Sequence, residues 1–328
     1  MIRFGSRPSP HHLFRGSLFL VDELSIRLAQ RIVQLETLPY DLPKIPSIIK
    51  VKEMYFESFC RLMLFPKITL SSFLIDKYPP SDRQYSRSNI KRLYSDRFDS
   101  EDRKHLPSLE IINDYNNKLI REITDIKNKH ANVASSIAQG VFEWKKKIAS
   151  NDLEKEIQSF LNDFYQSRIG IRVLIGHHCA LPTSKHVGII DLHCNPLDIA
   201  HDAIANATFI FEQHYSVKAP QVLVYGNQVQ LTSLSSHIHH ILFELLKNSM
   251  RAHYETKQVS PIRIIIADGK EDVTIKVSDE GGGIPRSGLP LIWTFMYTTA
   301  GEPDLIESDF RAPLAGYGYG LPLSRLVN

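Results

Sequence analysis

Glu244 and Asn248 stand four residues apart in the run Glu244-Leu245-Leu246-Lys247-Asn248-Ser249-Met250-Arg251, so a helix would put them one turn apart on one face. A carboxylate and an amide oxygen side by side offer a general base and a ligand for a hard cation. Alone the pair says little, because Glu and Asn at this spacing are common on exposed helices. Three later segments give it a setting. Ser278-Asp279-Glu280-Gly281-Gly282-Gly283-Ile284-Pro285 follows a strand-like run, and three successive glycines are costly to order. Either they form a loose turn, or the backbone must pass close to a flat ligand whose amine Asp279 reads. Tyr297-Thr298-Thr299-Ala300 adds hydroxyls before a stretch rich in glycine and acids. Gly316-Tyr317-Gly318-Tyr319-Gly320-Leu321 then alternates glycine with tyrosine as a helix-like segment opens, which would turn backbone amides toward phosphate. A lone Gly-x-Gly-x-Gly is a weak signal. Following the other three in order, it describes a nucleotide site with a loop that could close over its ligand.

These residues need elements to hold them, and the chain changes period halfway. From about Leu18 to Gly176 it reads as helix. Leu109, Ile112, Asn116, Leu119, Ile123, Ile126, His130, Val133 and Ile137 recur at gaps of three and four, the seam of a long packed helix. Leu153, Ile157, Phe160, Phe164, Arg168 and Ile171 mark a second helix. Ser25 to Leu35 and Ile48 to Phe65 supply two more, parted by the stretch from Pro39 to Pro46. Four helices predict a bundle. Leu181-Pro182-Thr183-Ser184 reads as a linker. Beyond it, Ile262, Ile264 and Ile266, then Val273, Ile275 and Val277, alternate with their neighbours around the turn Asp268-Gly269-Lys270, which predicts a β-hairpin. With helices expected at Pro196 to Tyr215 and Ser236 to Tyr254, the second half is an α/β layer structure. The expected division is a basic start over 1–17, a helical bundle over 18–180 and a nucleotide-binding domain over 181–328.

Composition removes several function classes. Against 39 Lys and Arg stand 36 Asp and Glu, and the net +3 is scattered rather than interleaved with aromatics, so no nucleic acid partner is expected. Cys60, Cys179 and Cys194 lie far apart without a CxxC pair, which argues against a disulfide framework or a zinc site. The doublets His11-His12, His177-His178 and His239-His240 place neighbouring side chains in different directions, unlike the converging groups a metal needs. No apolar run approaches the roughly 20 residues of a membrane span. Arg3, Arg7 and Arg15 with several serines precede the first acid, Asp22, as in a mitochondrial presequence or simply a basic, disordered start.

The order Glu-x-x-x-Asn, Asp-x-Gly-x-Gly, Gly-x-Gly-x-Gly resembles the ATPase superfamily of gyrase, heat-shock protein 90, histidine kinases and MutL. The wording of the segments goes further. "LFELLKNSMRA", "SDEGGGIP", "MYTTA" and "AGYGYGLPLSRL", with "KNKHANVASSIAQGVFEWK" and "FYQSRIGIRVLIGHH" in the first half, closely resemble the mitochondrial pyruvate dehydrogenase kinases, and less closely the branched-chain α-ketoacid dehydrogenase kinases. The resemblance runs from about Leu18 to the last residue. It implies a four-helix bundle followed by a histidine-kinase-like (Bergerat) ATP-binding α/β sandwich. It also implies a serine kinase that uses ATP and Mg²⁺ on the E1α subunit of the pyruvate dehydrogenase complex, inhibiting it in the mitochondrial matrix.

Position by position, the resemblance implies Glu244 as general base and Asn248 as the Mg²⁺ ligand. The run Glu244 to Arg251 would line the nucleotide. Asp279 would read the adenine amine, Gly281 and Gly283 would let the backbone approach the purine, and Thr298 and Thr299 would lie beside it. Gly316, Tyr317, Gly318, Tyr319, Gly320 and Leu321 would form a lid hinge and phosphate cradle. The helical half would dock the lipoyl domain of the E2 core subunit, the chain would form a homodimer, and Ile126, His130, Ser167, Arg168, Ile171 and Arg172 match a regulatory pocket. Lys127 stands where many relatives have Arg, which keeps the charge but loses the planar fork. Relatives also continue past "LSRL" into two more strands. The reading therefore expects a sandwich without its last strands, with a non-catalytic or weakly active docking protein as the alternative function. A histidine autokinase using His130 is a further rival, although Ala131 stands where an acid usually follows the acceptor histidine.

Overall fold

The computed structural model describes residues 9–68, 104–147, 154–182, 186–299 and 317–327. The first helix, α1, spans Pro10–Glu36. Ser9 caps it by accepting from the His12 amide at 3.2 Å, and Pro10 sits in the first turn, where its missing N–H costs nothing. Helix thus begins eight residues before Leu18, and Phe14, Arg15 and Ser17 are buried rather than part of a loose basic start. Residues 1–8 lie outside the described residues. A short 3₁₀ turn at Leu42–Lys44 leads into α2, Pro46–Met63. The predicted seam does not form one helix. It is split into α3, Leu109–Lys129, and α4, Val133–Lys147, because His130 leaves helical geometry at φ −82°, ψ 11° and the Ala131 amide closes a tight turn on Asn128. Next comes α5, Glu154–Ala180.

The chain forms two compact units, and their boundary cuts through α5. One unit takes 1–131 with 170–189, the other 132–169 with 190–328, in place of the single break near residue 180 that the sequence suggests. In the first unit, α1 packs on α2 and α3, and the last turns of α5 complete the helical cluster. Its apolar interior includes Leu24, Leu28, Ile48, Tyr55, Leu119 and Ile123. A polar chain crosses that interior. The Ser17 hydroxyl donates to Asn116 Oδ1 at 2.9 Å and lies 3.1 Å from His178 Nε2, while Asn116 Nδ2 donates to the Pro10 carbonyl at 3.0 Å. Ser17 has one proton to give, so His178 must carry its own on Nε2.

The second unit holds β1, Asp191–Cys194, and α6, Pro196–Tyr215, then β2, Val222–Gly226, and β3, Leu231–Ser233. These are followed by α7, Ser235–Thr256, β4, Ile262–Asp268, and β5, Val273–Ser278. A 3₁₀ turn at Leu291–Trp293 and α8, Gly320–Val327, complete the described elements. β4 is central: β2 pairs with it in parallel, Val222 opposite Ile262, and β5 pairs antiparallel, Ile264 opposite Val277. The predicted hairpin is therefore present, closed by the Gly269 amide on the Asp272 carbonyl at 2.8 Å. A parallel neighbour needs a crossover, and α7 provides it. β1 and β3 make a separate antiparallel pair, which the sequence reading missed because neither run is long enough to show alternation. Ile262, Ile264 and Ile266 turn one face of β4 onto α6 and α7, where Ala200, Ala203, Leu242, Leu246 and Met250 meet them. Among the described residues, no helix is long and apolar enough to cross a membrane.

Burial, reinforced by the neighbouring His177, pushes the His178 pKa from 6.5 down to about 4. A ring that stays neutral in the fold binds fewer protons than in the unfolded chain across that window. Stability should therefore fall as pH drops from about 6.5 toward 4. His178→Gln keeps an N–H for Ser17 but cannot titrate. Its melting temperature should drop less than that of the unsubstituted chain between about pH 7 and pH 5, and equal drops would show that His178 is not the group responsible.

Candidate nucleotide site

α7 presents two chemistries on two faces. Leu242, Leu246 and Met250 are buried in the sheet core. The sequence run had placed Leu246 and Met250 among the nucleotide-lining residues, and this is corrected: their side chains pack against Ile262, Ile264 and Ile266 and support the site from behind. Truncating Leu246 would be felt first as lost stability, about 2–5 kcal/mol. The other face carries Glu244 and, one turn on, an exposed Asn248. Leu245 is half-buried, and Arg251 is engaged with Glu255, its Nε 2.6 Å from Oε1.

Glu244 is 9% exposed, and a carboxylate so placed needs partners. Its Oε1 lies 2.8 Å from Lys247 Nζ, which also sits 4.8 Å above the Phe243 ring. Its Oε2 lies against Gly320, where any Cβ would overlap it. A side chain at the third glycine of the alternating motif would displace the carboxylate it faces. One turn earlier on α7 stands His240, held below its usual pKa by burial although the charge of Glu244 opposes this. The sequence shows His240 only as half of a doublet, and the signal that would have singled it out is its four-residue spacing from Glu244.

Asp279 follows β5 and is fixed by both oxygens. Oδ2 accepts from the Ser249 hydroxyl at 2.8 Å, and Oδ1 accepts from the Gly281 amide at 2.9 Å. Each oxygen keeps a further lone pair for an incoming donor. His253, buried one turn beyond Ser249, accepts from the Glu280 amide through Nε2 at 3.2 Å, which puts its proton on Nδ1. The glycines that follow divide their work. A Cβ on Gly281 would come 2.5 Å from the Ala252 Cβ, so its bareness serves the closeness of strand end and helix. Gly283 has φ +74° and open space where a side chain would be, leaving a cleared approach over the backbone.

The glycine–tyrosine motif is described from Tyr317 onward, and Gly316 lies outside the described residues. Gly318 has φ +73° and packs directly on the Tyr297 backbone, with no room for a Cβ. Tyr317 meets Phe142 of α4 edge-on at 5.8 Å. Tyr319 is wholly buried between Tyr165 and Phe295, at 5.7 and 5.3 Å, and its hydroxyl has no partner among the described residues. Burial pushes its pKa far up, so it anchors as an apolar body rather than reaching a nucleotide. Leu321 is half-buried on α8, while Thr298 and Thr299 are exposed.

In the first unit, His130 caps α3 and is 4% exposed. Its Nε2 lies 2.9 Å from the Ser58 hydroxyl and 3.3 Å from the Met54 carbonyl, and its ring packs on Tyr55 at 4.7 Å. Ser58 already donates to Met54 O at 2.8 Å, so His130 Nε2 bears a proton. A buried, protonated and bonded nitrogen is poorly placed to accept a phosphoryl group, which weighs against the autokinase reading. Ile126 and Ile171 are buried, and Arg172 Nη1 reaches the Lys127 carbonyl at 3.4 Å. Ser167 and Arg168 are half-buried on the part of α5 that belongs to the second unit.

Comparison with known proteins finds two families along the chain. The family described as mitochondrial branched-chain alpha-ketoacid dehydrogenase kinase matches residues 1–191. The histidine kinase-, DNA gyrase B- and HSP90-like ATPase family matches residues 233–328. A mitochondrial [pyruvate dehydrogenase (acetyl-transferring)] kinase of Arabidopsis thaliana is 39% identical over 99% of this chain and 81% of its own. Its counterpart in Schizosaccharomyces pombe is 36% identical over 99% and 85%. Human isozyme 3 is 34% identical over 94% and 71%. The chain, whose residues 233–328 match the histidine kinase-like ATPases, belongs to the pyruvate dehydrogenase kinase family.

Proposed function

We propose that this chain is a [pyruvate dehydrogenase (acetyl-transferring)] kinase that moves the γ-phosphoryl group of ATP to a serine of the E1α subunit of the pyruvate dehydrogenase complex, inhibiting it in the mitochondrial matrix. Relatives bearing that name at 39% and 36% identity support the activity and the mitochondrion. The observation that carries the chemistry is Glu244, a buried carboxylate with one oxygen paired to Lys247 and the other seated on Gly320 at the opening of α8.

Each residue has a task. Glu244 accepts the proton of the serine hydroxyl as it attacks, and Lys247 keeps the carboxylate turned toward that hydroxyl. Asp279, locked by Ser249 and Gly281, accepts from the exocyclic amine of adenine, and the cleared backbone at Gly283 lets the ring approach. Amides of the loop from Gly318 to Gly320 and the start of α8 face the phosphates. The donor set suits Mg²⁺, since an exposed amide oxygen from Asn248 leaves the remaining positions to phosphate and water. Mg²⁺ held there supplies charge neutralisation for phosphoryl transfer. The helical unit docks the lipoyl domain of E2, and the chain works as a homodimer, in line with the resemblance.

The decisive assay incubates the protein with ATP-Mg²⁺ and purified dehydrogenase complex and maps phosphate. Label on E1α serine is expected, whereas acid-labile label on His130 of the kinase would overturn the reading. Glu244→Gln should keep ATP affinity within a few-fold while phosphotransfer falls by roughly 10²- to 10⁴-fold. Gly320→Ala should lower transfer too, because the new methyl displaces Oε2. Retained activity in both would remove Glu244 from the mechanism. Asn248→Ala should weaken ATP binding in the presence of Mg²⁺ and leave metal-free binding unchanged, as read by calorimetry; a loss equal in both conditions would rule out a metal ligand.

A further inference from the structure

Gln158, on the first half of α5, grips the backbone of a single distant residue. The Phe295 amide donates to its Oε1 at 2.8 Å, and its Nε2 donates to the Phe295 carbonyl at 2.8 Å. A side-chain amide used this way makes the two bonds that a neighbouring strand would make, on a segment that pairs with no strand among the described residues. The clamped segment is unusual in itself. Met296, the next residue, has φ +67°, a conformation non-glycine residues keep only where their surroundings hold them. The Phe295 ring is fixed as well, stacked on Tyr165 at 5.3 Å and tilted on Tyr319 at 5.3 Å, and Tyr165 is tied down by its hydroxyl donating to the Ala134 carbonyl at 2.9 Å.

From Phe295 the contacts lead to the base. Tyr297 carries the backbone on which Gly318 packs without room for a Cβ, Tyr319 is locked between Phe295 and Tyr165, and Gly320 seats the Glu244 carboxylate. No group in this series before Glu244 touches a reacting atom. We propose that Gln158 is a positioning residue for phosphate recognition and transfer: its amide clamp on Phe295 sets the loop from Gly318 to Gly320, and through it Glu244. The inference rests on the reading of that loop as the phosphate-facing part of a nucleotide site. It assigns a role in that site to a helix that sequence motifs place in the helical half.

The test compares two ligands on the full chain by calorimetry. Adenosine engages only the Asp279 side of the site, whereas ATP-Mg²⁺ also uses the glycine loop. Gln158→Leu removes both bonds, and Gln158→Glu keeps the acceptor for the Phe295 amide while losing the donor to its carbonyl. ATP affinity should fall roughly tenfold or more in both variants, the size expected for one charge-assisted hydrogen bond, with adenosine affinity unchanged. Gln158→Glu serves if Gln158→Leu fails to fold. If the unsubstituted chain binds ATP no better than adenosine, the nucleotide-site reading itself fails. If it discriminates, and the variants discriminate equally well or lose both ligands together, the clamp is only structural and the proposal is overturned.

Discussion

A charge buried in a protein has to be answered by its surroundings, and the site depends on how that is done at Glu244. The answer has two parts, an ammonium group three residues along the same helix and a glycine, Gly320, at the start of α8. The first offsets the cost of taking a carboxylate out of water. The second leaves room for it. Neither works unless α7 is held firmly, and the opposite face of the helix is apolar and set into the sheet.

The same logic explains the division of labour along β4 and β5. Three isoleucines on β4 fix α7 against the sheet, and the end of β5 delivers Asp279 to a point where Ser249, one residue past Asn248, reaches it. Acid, amide and second acid are therefore spaced by one helix and one strand end, both rigid. The parts that must follow a ligand lie elsewhere, in glycine-rich backbone at positive φ. Rigid elements carry the two carboxylates and the amide, and in the proposed function the contacts to phosphate fall to glycine-rich backbone.

Much of this was legible because some residues advertise their geometry. Alternating isoleucines and valines around Asp268-Gly269 specify a hairpin in almost any context, and Glu244 and Asn248 need only a helix to be neighbours. Other features were not legible, for physical reasons. The seam through Ile126, His130 and Val133 continues in sequence across a break in the chain, because side-chain period does not record where the backbone turns. The helix start at Pro10 is encoded by a cap, Ser9, rather than by an apolar stripe. Leu246 and Met250 lie inside a binding motif yet face away from it, since a helix shows only part of any contiguous run to one side. Gln158 was invisible altogether: a polar residue that bonds to backbone 137 positions away leaves no pattern in a single sequence.

The contact between Gly281 and Ala252 also limits how this site can vary. With a hypothetical Cβ at 281 falling 2.5 Å from the methyl at 252, the pair has no room for a second methyl. Moving the methyl from 252 to 281 would remove that overlap but leave the new Cβ 3.2 Å from the backbone carbonyl carbon of residue 252 and 3.1 Å from Asp279 Oδ1, still tighter than ordinary contact. A side chain at 281 is therefore excluded while 252 keeps its methyl. Packing between α7 and the end of β5 thus holds position 281 bare whether or not a ligand is present.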